Sequence, residues 1–185
     1  MRSVLSFAVG ALTALVALAC VALGCDPILD ATAGPVKVPS GSMMRLRGVP
    51  DGFPSITGVE VRRPHGVPIT RAMLLDVTEG FDPDALAKLA PGSLDELRAR
   101  GVRIDSFGRI EGAGRFLCDA RFATGDEAAC EHREGGAVLD KGLDLLVVTD
   151  APAPWMELVV RLVRLGRPYD PAVTVVAATT ATTGR

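Results

Sequence analysis

The sequence predicts an α+β or α/β domain: a small mixed sheet with helices on one face, closed by a right-handed βαβ unit at its C-terminal end. Three observations predict it. Leu143–Thr149 and Ala172–Ala178 are nearly unbroken apolar runs of strand length, the pattern of strands buried on both faces. Between them, Trp155, Leu158, Val159 and Leu162 fall at helical spacing, with Glu157 and Arg161 set i, i+4 on the other side, as an amphipathic helix would place them. A strand, a helix and a strand joined by short links make a crossover that is right-handed almost without exception. Upstream, Asp82-Pro83 and Ser93-Leu94-Asp95-Glu96 read as two helix starts, the first through an N-cap acid followed by Pro and the second through a capping box.

The remaining elements follow in order. Gly58-Val59-Glu60-Val61-Arg62 alternates and predicts a strand, and Pro64-His65-Gly66 a turn. Val67–Val77 predicts a second strand, with Ile69, Met73 and Leu75 spaced for one face and Leu74 and Val77 blurring the pattern. The first helix ends near Ala90 at Pro91-Gly92, and the second runs to Arg100, capped by Gly101. Val102–Asp105 alternates as a short strand, Ser106–Arg109 is a hairpin turn leading to Ile110, and Phe116–Phe122 is another strand. Thr124–Gly136 reads as a polar loop. In the predicted βαβ unit, Pro154 fixes the helix start and Trp155 is expected to anchor the core. Gly166–Pro171 ends that helix.

The domain organisation is read from composition. Residues 1–25 form a leader, 26–55 a tether rich in Pro, Gly, Ser and Asp, 56–178 one globular domain and 179–185 a frayed tail. The 160 residues left after the leader are a one-domain length. Twenty basic and 22 acidic residues give a net charge of −2. Aromatics are 4% of the chain. Neither figure suits a nucleic-acid binder, which needs a basic face or a stacking platform.

Val4–Gly24 carries no charged residue over 21 positions, enough to span a bilayer, where roughly 20 suffice. Its end, Val21-Ala22-Leu23-Gly24-Cys25, resembles a bacterial lipobox, with Leu one place nearer the cysteine than that pattern has it. The resemblance implies that Cys25 is lipidated and becomes the mature N-terminus. An uncleaved anchor and a cleaved, secreted protein are the other outcomes. All three put the domain on the extracytoplasmic, periplasmic side of the cell envelope, two of them held to the membrane through the N-terminus. Setting Cys20 and Cys25 aside with the leader leaves Cys118 and Cys130, and an even pair in an exported domain reads as one disulfide. A metal set of Cys118, Cys130 and His132 is the other reading. Its spacing is not a standard zinc pattern and it lacks an obvious fourth ligand, so neither a metal nor a cofactor is expected.

Val38-Pro39-Ser40-Gly41-Ser42-Met43-Met44 resembles the nucleophile box of type I signal peptidases. That resemblance implies a membrane serine protease with Ser42 as nucleophile and a desolvated neutral Lys as base. The lysines are Lys37, Lys88 and Lys141, none in a run like the family's lysine box, and the family's other boxes are absent. His65 and His132 sit in a turn and a polar loop and read as solvated. Leu145–Asp150, Pro154-Trp155, Val159–Leu162 and Val173–Val176 together resemble the end of the periplasmic domain of ExbD/TolR proteins, single-span components of proton-driven envelope motors. The resemblance implies a non-catalytic module of an envelope transport system, acting with an envelope protein partner or as a homodimer. The family's intramembrane acid has no counterpart in Val4–Gly24.

Overall fold

A computed structural model describes residues 28–47, 55–131, 137–138, 142–165 and 172–178. The leader, residues 1–25, the first two residues of the stretch read as a tether, and the tail, residues 179–185, lie outside them. The elements run β1 (Ile28–Pro39), β2 (Ser42–Arg47), β3 (Ser55–Arg62), β4 (Arg71–Asp76), α1 (Pro83–Ala87), α2 (Leu94–Ala99), β5 (Arg109–Ile110) and β6 (Gly114–Arg121), then β7 (Glu127–Glu131), β8 (Ala137–Val138), β9 (Leu143–Thr149), β10 (Trp155–Leu165) and β11 (Ala172–Ala177). The strands form two sheets. One has the order β1-β10-β3-β7, with β8 also on β3; the other has the order β11-β2-β9-β4-β6-β5. Every pairing is antiparallel.

The α+β or α/β expectation is therefore corrected: the domain is mostly β, two antiparallel sheets packed face to face. The main core lies between them. Val38, Val59, Val61, Met156, Leu158, Val160 and Leu162 from the first sheet meet Met44, Leu46, Leu74, Leu117, Leu143 and Leu145 from the second. Behind the second sheet lies a smaller core. There Met43, Met73, Leu75 and Leu146 pack under Leu97, Ile110 and Ala113, from the segment that carries both helices. This third layer makes β4 and β9 double-faced, and so their apolar residues run on without alternation.

The βαβ unit is the largest departure. Residues 155–165 form the central strand β10, paired with β1 and β3. The physical reason is visible in the residues. Met156, Leu158, Val160 and Leu162 are all buried, a period of two without a gap. Val159, Val160 and Val163 are β-branched and favour the extended chain. The helical quartet of Trp155, Leu158, Val159 and Leu162 is divided between opposite faces. Trp155 lies half-buried on the outer face, where the Lys37 ammonium sits 4.5 Å from its ring centroid.

Four further expectations change. The stretch read as a tether holds β1 and β2, because β10 supplies β1 with a full-length partner, Ile28 opposite Leu165 and Pro39 opposite Trp155. The register slips between Ala33 and Val36. Gly34 there has φ +114°, and a Cβ on it would stand 2.5 Å from the Leu158 carbonyl oxygen. The polar loop contains β7, and Val102–Asp105 contributes only one bridge, Ile104 to Ile110. The run Ala172–Ala177 is a strand, but an edge strand with Val175 39% exposed, not a buried one. Both helix starts form as the sequence predicts. Asp82 accepts from the Asp84 amide, and Ser93 and Glu96 make the reciprocal capping box.

Candidate functional site

Ser42 opens β2 immediately after the Ser40-Gly41 turn. The Ser40 amide donates to the Pro154 carbonyl at 3.1 Å, so this turn packs on the link between β9 and β10. Together they border a cleft of about 110 Å³, with Ser40, Ser42, Leu146, Thr149, Pro152 and Trp155 among its lining residues. No lysine or histidine lines it among the described residues. Lys37 is engaged with the Trp155 ring, Lys88 caps α1, and Lys141 lies outside the described residues.

A polar cluster stands where β3 ends and β7 begins. The His65 Nδ1 lies 2.7 Å from an Asp126 carboxylate oxygen, and the other oxygen accepts from Arg63 Nε at 3.3 Å. Arg63 also donates to the Gly125 and Ile69 carbonyls and stacks over Phe122. The His65 imidazole, and then the Arg63 guanidinium, hold the Asp126 carboxyl below its ordinary range. The residues suggest a solvated His65, and its side chain is 96% exposed. Its acid partner was not legible in the sequence, because Asp126 reaches it only once β7 pairs with β3.

The buried charges are matched within the fold. Asp144, 5% exposed, accepts a two-pronged bond from Arg45, both contacts 2.9 Å, and a third contact from Arg47 at 2.8 Å. Arg71 bridges Asp119 and Glu96, tying α2 to β4 and β6. The Arg71 hydrogen bond, then the Ser93 amide, hold the Glu96 carboxyl at about 2. Burial pushes the Asp150 carboxyl up, but bonds from the Thr70 hydroxyl and the Thr70 and Arg71 amides outweigh it, and the net shift is downward. The Asp144 and Asp119 contacts join strand to strand, and those of Asp150 join the end of β9 to the start of β4.

Cys118 on β6 and Cys130 on β7 are joined, with Cα atoms 5.9 Å apart. The bond links the two sheets through the main core. It leaves neither sulfur as a thiolate for the metal set, whose third member, His132, lies outside the described residues. Cys25 also lies outside them. Among the described residues no helix is long and apolar enough to cross a membrane. The outer face of the first sheet carries a shallow groove of about 350 Å³, lined by Glu60, Arg62, Glu127, Glu157 and Val159 among others. Arg62 bridges Glu127 and Glu157 across three strands. The geometry defines a class: a two-sheet antiparallel β domain with an inter-sheet disulfide and a helical cap. No protein-family model, curated protein or solved structure matches the chain.

Proposed function

We propose that the chain is a membrane-anchored, extracytoplasmic, non-catalytic module of the cell envelope, which acts by holding a partner. The observation that carries this reading is the junction at its N-terminus. A charge-free run ends at Gly24-Cys25, and the first strand of the main core begins at Ile28. The Cys118–Cys130 bond supports it, since such bonds persist in oxidising compartments. The reading does not rest on the ExbD/TolR resemblance, whose strand-helix-strand is here three strands.

Fractionation tests it. The protein is expected in the membrane fraction, released by detergent and not by salt, with Cys118 and Cys130 refusing alkylation until reduced. Recovery as a soluble cytoplasmic protein with Met1 intact and both thiols reactive would refute the proposal.

A further inference from the structure

A tether of some thirty residues would have let the domain range away from the bilayer. Because β1 begins at Ile28, that freedom is gone. Only three residue steps separate Cys25 from Ile28, and a fully extended chain covers about 3.3–3.6 Å per residue, so the start of β1 lies within roughly 11 Å of the anchor. The register says what else stands there. Ile28 is opposite Leu165, Asp30 opposite Val163, Val163 opposite Ser55, and Ser55 opposite Val138. The start of β1, the end of β10, the start of β3 and the end of β8 thus form one end of the first sheet.

We infer that this end of the sheet rests on the phospholipid surface, and that the opposite end is held away from it. The inference rests on the anchored reading proposed above. The opposite end carries the Ser40-Gly41 turn, the link before β10, and Trp155, which is paired with Pro39. A strand rises about 3.3 Å per residue, so the twelve residues of β1 put that end roughly 35 Å further along the sheet. The same distance bears on chemistry. The Ser42 hydroxyl stands at the far end, out of reach of a bond at the bilayer surface, where a signal-peptidase-like nucleophile would have to act.

The single tryptophan of the chain makes the orientation measurable. The full-length protein is reconstituted in vesicles of phosphatidylethanolamine and phosphatidylglycerol carrying a dansyl-labelled headgroup, and energy transfer is read from the Trp lifetime. Trp155 is expected to transfer weakly. In the W155F background, Asp30→Trp, an exposed position on β1, is expected to transfer several-fold more efficiently. Thr32→Trp, two residues further along and also exposed, is the second variant if the first does not fold, with the same expected result. Equal transfer from both ends would overturn the inference and mean that the sheet lies flat on the lipid. Stronger transfer from Trp155 would invert it. Protein that fails to float with the vesicles would instead overturn the anchored reading itself.

Discussion

At the scale of single residues, the contrast between Trp155 and its neighbour Leu158 tests the β10 assignment. Leu158 is wholly buried between the sheets, and Leu158→Ala is expected to cost about 2–5 kcal/mol. Trp155 is half-buried on the outer face, so Trp155→Ala should cost distinctly less, read as the smaller drop in urea midpoint. A helix docked by Trp155 would reverse that order. Glu96 supplies a pH test. Its carboxyl is held at about 2 in the folded protein against an ordinary 4.5. A lowered folded value means that the stabilisation is complete above about 4.5. It is lost as pH falls through the window down to about 2. Glu96→Gln should therefore flatten the acid limb of a melting-temperature profile in that window and leave the neutral limb parallel to wild type. An unchanged acid limb would show that Arg71 does not hold Glu96 in solution. Contacts of this kind are not legible beforehand. Glu96 is visible in the sequence as a capping-box residue, but its bond to Arg71 spans 25 positions and exists only because α2 lies over β4.

Among the elements, those marked by local chemistry were legible. The two helix caps, β9 and most of β3, β4 and β6 stand where turn residues and apolar runs put them. Elements defined by distant partners were not. Residues 155–165 satisfy both a helical and a strand template, and the choice falls to β1 and β3 on either side, far away in sequence. β1 is the reverse case: its Gly34-Pro35 and small residues look irregular, and pairing with β10 overrides that local weakness. Gly34 marks where the two strands approach. Gly34→Ala is expected to destabilise the domain by about 1–3 kcal/mol or more, since it combines a left-handed backbone with a clash against the Leu158 carbonyl. At Gly41, where a Cβ meets nothing within 4 Å, the same change should cost less. Equal costs in a denaturant titration would place the strain elsewhere.

For the molecule as a whole, the sequence pointed to a single domain behind a leader. The layers are not legible in it, because β7 hides among polar residues and β10 mimics a helix. The candidate site was legible only as single residues. Ser42 and His65 could be picked out, but neither the cleft beside Ser42 nor the Asp126 partner of His65 could. The cysteine pair is the exception, since setting Cys20 and Cys25 aside with the leader leaves only Cys118 and Cys130, and the two sheets bring them together. Closing a loop with a sequence separation of 12 is worth about 3 kcal/mol in the chain-entropy model. The double variant C118A/C130A should lose about that much in unfolding free energy while keeping its antiparallel β spectrum. No loss would mean that the bond does not constrain the unfolded chain.

We propose above that this domain is carried to an oxidising compartment and held at the membrane by its N-terminus. The intact mass of the protein purified from its native membranes, denatured but not reduced, reports anchor and disulfide together. The expected chain either starts at a lipid-modified Cys25 or retains the whole apolar leader, in both cases with the mass deficit of two hydrogens that the Cys118–Cys130 bond leaves. A mass showing an unmodified chain cut after the leader, or one with two free thiols at Cys118 and Cys130, would contradict it.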